Sequence, residues 1–307
     1  MNNLAPIALF VYNRPKHTQK TIIALQANPL AKKSDLIIYS DGPKNDSEIP
    51  HVKEVRDYLK TISGFRTIQI VERENNWGLA KSIISGVTEI INQCGKIIVL
   101  EDDIVTSPKY LNFMNSALNI YEGKEKVWHI SGWTYPIEFP IEEDAFLWRV
   151  MNCWGWATWS DRWSQFEKNP NRLIDSWSDK QKRHFDLEDT GFFWPQITEN
   201  ASGNLNTWAI FWYAIIYENS GLCLNPRKTY VENIGLDGSG ENCQAPQGDI
   251  YKDANFNHQD SLIWPESFTE SQVATSLIEQ FYKSQKKTVL TRIINKFTRL
   301  LIKRNVL

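Results

Sequence analysis

The stretch Lys96-Ile97-Ile98-Val99-Leu100-Glu101-Asp102-Asp103 runs four aliphatic residues straight into three carboxylates. A short, uninterrupted apolar run of this kind reads as a strand covered on both faces, the usual pattern of a parallel sheet. Three acids at its end are unfavourable on their own. Two carboxylates ~5 Å apart at an effective dielectric of ~20 repel by about 3 kcal/mol, so something positive is expected to offset them. Alternate side chains of an extended chain share a face, so Glu101 and Asp103 are expected to face a ligand together, with Asp102 pointing away or reaching round at the turn. Hard oxygen donors favour Mg2+ or Mn2+, which are commonly held through one or two carboxylates plus the phosphates of a substrate. The plain alternative is a solvated acidic turn leading into a helix that starts near Ser107-Pro108.

Toward the amino terminus, strand and helix signals alternate. Pro6 to Tyr12 is a short apolar run, and Pro15 opens a helical pattern with Thr18, Ile22 and Leu25 on one face. Leu36–Tyr39 reads as a second buried strand, ended by Ser40-Asp41-Gly42-Pro43, and Thr67–Val71 as a third. Ile83, Ile84, Val87, Ile90 and Ile91 form a helical stripe before the Lys96 strand. The expected class is α/β: a mostly parallel sheet flanked by helices, because parallel strands require crossovers. In such sheets ligands sit outside the carboxyl ends of the strands. Asn13-Arg14, Asp41-Gly42 and the acidic triplet all fall there.

Toward the carboxyl terminus the composition shifts. Eleven of the 13 tryptophans lie between Trp128 and Trp212. Three parts are expected: residues 1–127, the half with alternating strands and helices; residues 128–265, the tryptophan-rich half of the same domain; and residues 266–307, a linker at Glu266–Ser271 followed by a basic tail. Residues 283–307 hold eight basic residues and no acid, so the rest of the chain carries -10 of a total net charge of -2. An acidic body argues against nucleic acid as a partner. Between Thr288 and Lys303, Val289, Leu290, Ile293, Ile294, Phe297, Leu300 and Leu301 fall on one helical stripe, the pattern of an amphipathic helix that docks on an anionic membrane surface or packs on protein. No run approaches the ~20 apolar residues of a membrane span. Met1–Tyr12 reads as a strand, not a leader, so the expected location is cytoplasmic, peripheral on the inner face of the membrane if the tail docks there. The four cysteines are widely spaced and read as thiols, indicating neither zinc nor a disulfide framework.

The KIIVLEDDIVTSP segment (96–108) resembles the metal-binding acidic motif of GT-A glycosyltransferases, in the variant of the Golgi N-acetylglucosaminyltransferase that begins complex N-glycans. PIALFVYNRP (6–15), YSDGP (39–43) and NNWGLAKSIISGV (75–87) are similar to that family's preceding parts in order and spacing. ISGW (130–133), CWGWATW (153–159), WAIFWYA (208–214) and NIGLDGSG (233–240) resemble bacterial polysaccharide-locus sugar transferases. The resemblance implies a GT-A-like fold and a metal-dependent hexosyl- or N-acetylhexosaminyl-transferase. Its donor would be a nucleotide diphosphate sugar, expected to be a uridine one, and its acceptor a glycan or lipid-linked glycan.

By the resemblance, residues 1–127 would be the nucleotide-sugar-binding half and residues 128–265 the acceptor-binding half of one catalytic domain, and roles follow by position. Asp103 would bind Mn2+ or Mg2+, with Asp102 and Glu101 near ribose or supporting waters. Asp41 would meet the base, with Asn13, Arg14 and Lys81 in the nucleotide-sugar region and Trp154 and Trp156 on the acceptor side. Each has a structural alternative: an ion pair for Arg14, a turn for Asp41, a solvated helix charge for Lys81, a core position for each tryptophan. An inverting transferase also needs a carboxylate base. By the resemblance, the family's aspartate-bearing tryptophan helix corresponds to Trp208–Trp212, which holds no acid, so Asp237, Asp161 and Glu241 are substitutes and a retaining route stays open. Two competing readings remain: a sugar nucleotidyltransferase, although VYNRP lacks a phosphate-loop glycine, and a non-catalytic carbohydrate-binding protein. A dehydrogenase is disfavoured because no GxGxxG follows a strand.

Overall fold

A computed structural model describes residues 4–237, 256–259 and 261–285. They fall into two compact units. One is built from the chain up to Lys168 together with Asn206–Glu270, the other from Asn169–Leu205 together with the chain from Ser271 on.

The first unit is organised by an eight-stranded sheet. Its amino-terminal half holds β1 (Ile7–Val11), β2 (Asp35–Ser40), β3 (Thr67–Glu72) and β4 (Lys96–Glu101), side by side in the order β3-β2-β1-β4 and all parallel. β1 is buried at all five positions and β4 at its four central ones, as aliphatic runs between two helical layers must be. β3 differs from its reading as a buried strand. It lies at the sheet edge, and its residues alternate between exposed and half-buried. The crossovers are α1 (Pro15–Gln26), α2 (Ile49–Leu59) and α3 (Leu79–Cys94). α3 buries Ile83, Val87, Ile90 and Ile91, most of the stripe read from sequence.

Beyond β4 the sheet is mixed: the parallel pairing expected from sequence holds among β3, β2, β1 and β4, and antiparallel pairs enter after them. The small strand β5 (Ile104–Thr106) and α4 (Tyr110–Tyr121) lead to β6 (Val127–Ser131) and β7 (Ala145–Trp148), and β8 (Trp156–Trp159) then runs antiparallel between β4 and β6. α5 (Ser160–Trp163) closes that passage. β9 (Leu222–Pro226) lies parallel to β6 and antiparallel to β7, while β10 (Val231–Asn233) pairs antiparallel with β5 in a two-stranded sheet of its own. Strands from both sides of residue 127 therefore share one sheet.

The tryptophan-rich segment is mainly core. Nine of its eleven tryptophans are buried, all but Trp154 and Trp194. Trp156 is completely enclosed, its ring 5.0 Å from Trp208, 5.7 Å from Trp163 and 5.5 Å from His129. His129 is fixed in one tautomer. Its Nε2–H donates to the Asn152 carbonyl at 2.9 Å, and its Nδ1 accepts from Trp212 Nε1 at 3.3 Å. Burial pushes its pKa down to about 3, so it is neutral in the fold.

The chain around residues 264–270 is anchored on the first unit. Trp264 stacks 5.5 Å from Phe113, Tyr121 donates to the Pro265 carbonyl at 3.1 Å, and Arg149 pairs with Glu270 at 2.8 Å. Buried aromatic and charged anchors of this kind turn a polar stretch into a strap. The second unit contains α6 (Pro170–Ser176), α7 (Asp179–Phe185), α8 (Trp194–Ala201) and helical residues 272–285. Leu173, Trp177, Phe185, Ile197, Ala274 and Ile278 are buried there. The completed first unit also includes the helix between these segments, α9 (Ala209–Glu218), apolar nearly all round and buried at seven positions. No described helix is long and apolar enough to cross a membrane. The stripe at Thr288–Lys303 lies outside the described residues.

Candidate active site

The acidic triplet sits where β4 ends. Glu101 is the last residue of the strand, Asp102 and Asp103 form the turn, and Ile104 begins β5. The positive group that the repulsion demanded is Arg14, at the matching end of β1. Its Nη2 contacts Asp102 Oδ1 and lies 2.9 Å from Asp103 Oδ2, while its Nε donates to Asp102 Oδ2 at 3.3 Å. Thr21, one α1 turn beyond His17, donates its hydroxyl to the Asp102 carbonyl at 2.9 Å and holds the turn in place.

One guanidinium does not neutralise three carboxylates. Burial, then the charges of Asp103 and Asp102, push the Glu101 pKa up to about 8, against the pull of Arg14. Asp103 Oδ1 and both Glu101 oxygens accept no hydrogen bond from a described residue. An excess of carboxylate oxygen with open lone pairs is chemistry that a hard cation fits, with substrate oxygens completing its shell. Among the described residues no three carboxylate, imidazole or thiol groups are arranged as a self-sufficient metal cage.

The β5–β10 pairing brings a second segment over the triplet. Ile234 N–H donates to the Asp103 carbonyl at 2.9 Å, and a Cβ on Gly235 would fall 2.1 Å from Asp103 Oδ2 and 2.9 Å from Arg14 Nη1. Only glycine lets the backbone approach so closely. Two residues on, Asp237 Oδ2 lies 3.2 Å from Nε2 of His17, which α1 presents one turn after Arg14. Asp237 is half exposed (51%), whereas His17 is largely covered (17%).

The other sequence-derived residues separate into groups. Asp41 is buried, and its carboxylate accepts from the N–H groups of Gly42 (2.9 Å), Trp77 (2.8 Å) and Gly78 (2.9 Å) and from Asn76 Nδ2 (3.2 Å). Its visible work is to tie the end of β2 to the start of α3. Asn13 donates to Glu48 and ties the β1 turn to α2. Lys81 sits over the Trp77 ring at 4.1 Å, with Arg73 over the same ring at 3.5 Å. Trp156 is a correction: a fully buried side chain cannot offer a face to an acceptor. Trp154 is half-buried. Beyond the Val99/Trp156 pair, a Cβ on Gly155 would lie 3.3 Å from Leu100, which brings Trp154 to the level of Glu101. Asp161 is the second correction. It follows Trp159, which pairs with Lys96 at the opposite end of β4, about 17 Å of strand from Glu101. There it is exposed and paired with its neighbour Arg162. Glu241 lies outside the described residues.

Sequence did not single out His17, whereas Gly235 belongs to the NIGLDGSG stretch (233–240), a glycine-rich loop after a strand. The signal for His17 was its position three residues after Arg14 at the start of a helix.

No protein family profile matches the chain, and no curated protein matches it. Two crystal structures of S. aureus TarS are similar to parts of it. One, at 11% identity and a TM-score of 0.41, aligns over 74% of this chain and 36% of the TarS chain. The other, of TarS 1-349, gives 10% identity and a TM-score of 0.42 over 76% and 61%. The chain thus spans roughly one third and three fifths of the two TarS chains it matches, and its activity has to be judged on its own residues.

Proposed function

We propose that this chain is a glycosyltransferase that moves a sugar from a nucleotide diphosphate donor, a uridine one by the motif resemblance, to a hydroxyl of a glycan or lipid-linked glycan. One observation carries the reading: a partly neutralised carboxylate triplet at the carboxyl end of the central parallel strand, with Arg14 in its grip and the Gly235–Asp237 segment closing over it. Asp103 and Glu101 would hold Mn2+ or Mg2+, which when bound would stabilise negative charge on the leaving diphosphate. Arg14 would orient the diphosphate oxygens and add its fixed positive charge where negative charge develops. The Asp41-bound loop, Asn76 to Gly78, shapes the entrance on the β2 side. Asp237 is the one proposed base that the described fold brings to the triplet, and His17 would hold its carboxylate in position.

Burial of nine tryptophans weighs against the non-catalytic carbohydrate-binding alternative, because core side chains present no sugar platform. The sugar nucleotidyltransferase alternative is disfavoured by a first turn that offers Asn13 and Arg14, without a glycine-rich phosphate loop. The test is a thermal-shift and turnover screen of uridine, guanosine and thymidine diphosphate sugars with Mn2+ or Mg2+. A metal-dependent rise in melting temperature with one nucleotide class, and release of its diphosphate, are expected. Absence of both across the donor panel would remove the reading.

A further inference from the structure

A second charged concavity lies in the first unit, apart from the carboxylate triplet. It is an open concavity of about 270 Å³, lined by Ala80, Lys81, Ile84 and Ser85 on the first turns of α3 and by Lys168 and Asn206. This is just below the ~300–1,000 Å³ typical of small-molecule sites, a size for a single ring and not for an extended chain.

Its electrostatics are one-sided. Neither lysine has a carboxylate within ion-pair distance among the described residues, although the chain outside its tail is acidic. Lys168 Nζ contacts only the neutral Asn206 Oδ1 and faces the Phe211 ring at 5.5 Å, and Lys81 Nζ faces Trp77 at 4.1 Å. Both ammonium groups are thus held by neutral partners on apolar ground. Partial burial lowers the Lys168 pKa, as expected of a cation without a counterion. The first turn of α3 holds no acid, and the Asp41 carboxylate already takes the N–H groups of Trp77 and Gly78 just ahead of it. Ala80, Ile84 and the lysine stems make the walls apolar, which suits the C–H face of a sugar ring.

We propose that this cavity is a subsite for a sugar unit bearing a negative charge, a phosphate or a carboxylate, with Lys81 and Lys168 as its two cationic contacts. Calling that unit part of the glycan substrate rests on the transferase reading above; the cavity's preference for an anionic sugar does not. Each ammonium group that reached the anion would give a charge-assisted hydrogen bond, stronger than a neutral one and lost with its charge.

Calorimetry with glucose 6-phosphate, glucuronate, glucose and inorganic phosphate tests it on the full chain. Glucose 6-phosphate or glucuronate should bind at least about tenfold tighter than glucose or inorganic phosphate. The Lys81→Gln/Lys168→Gln double variant, with an unchanged melting temperature, should lose at least about tenfold of that affinity. Lys168→Arg, which keeps the charge, should retain it. Undiminished binding in the double variant, inorganic phosphate binding as tightly as the charged sugars, or no binding by either charged sugar would each overturn the subsite. Uridine diphosphate with Mn2+ is titrated in parallel. Failure there with sugar phosphate binding intact would count against the transferase reading and leave the subsite standing.

Discussion

The carboxyl end of β4 and the strand beside it, β8, lie one hydrogen-bonded step apart and treat their conspicuous residues in opposite ways. At the end of β4, three acids are held together at a cost, with one arginine as partial compensation. Along β8, a run of tryptophans is sealed into the interior, Trp156 with no exposed surface at all. An unfavourable cluster that a fold retains points to a ligand, whereas a favourable cluster of large aromatic rings is explained by packing alone. Charge density was therefore the better functional signal, and aromatic density the better structural one.

The largest expected effect breaks the β8 side. Trp156→Ala should destabilise the protein by about 3–5 kcal/mol through a cavity ringed by Trp163, Trp208 and His129. Trp154→Ala, at a half-buried loop position, should cost far less stability and raise the acceptor KM instead. Denaturant melts of the pair measure the contrast, and equal losses would erase it.

On the β4 side, Asp103→Asn should leave the melting temperature unchanged or higher, because it relieves repulsion. Donor turnover should fall at least about a hundredfold, about 2.7 kcal/mol of transition-state stabilisation. Turnover near that of the unaltered chain would mean the triplet is only a strained turn.

Protons sharpen the comparison further, since each region holds one displaced titration. His129 stays neutral in the fold down to about pH 3, whereas an unfolded histidine gains its proton near 6.5. Between those values the unfolded state binds more protons, so stability falls as the pH drops, by about 1.4 kcal/mol per unit. Glu101 has the opposite sign. Its folded pKa of about 8 stands above the ordinary 4.5, so its contribution is complete below 4.5 and is lost as the pH rises toward 8, at most about 1.4 kcal/mol per unit. The two slopes cancel between roughly pH 4.5 and 6.5, which predicts a plateau with losses on either side. Urea melts across this range check it. Glu101→Gln should flatten only the alkaline limb; persistence of that limb in the variant would contradict the assignment.

The smallest effect is a null. Asp161→Ala should change turnover by less than about twofold, because its exposed carboxylate follows Trp159 at the end of β4 opposite the triplet. Asp237→Asn should slow transfer and alter its pH dependence. Steady-state rates with the preferred donor distinguish the two, and a reversal of their order would move the base to the other end of β4.

Local pattern was enough for much of the nucleotide-facing half. The aliphatic runs at Ile7–Val11, Leu36–Tyr39 and Lys96–Leu100 became adjacent parallel strands, and the α3 stripe became a buried face, because burial on two sides leaves an unbroken apolar signature in sequence. The same reasoning placed Asn13, Arg14, Asp41 and the triplet at strand ends and required a cation near the acids.

What tertiary structure decided was partnership. Nothing local told β8 to run antiparallel between β4 and β6, and that pairing sends Trp156 into the core and Asp161 to the far end. Nor did spacing reveal that Asp41 would spend its oxygens on the Trp77 loop, that Glu266–Ser271 would be strapped down by Trp264 and Glu270, or that β10 would carry Gly235 and Asp237 to Arg14 and His17. Periodicity records which face of an element avoids water, whereas contacts between residues a hundred or more positions apart depend on strand order and register, which no single segment encodes.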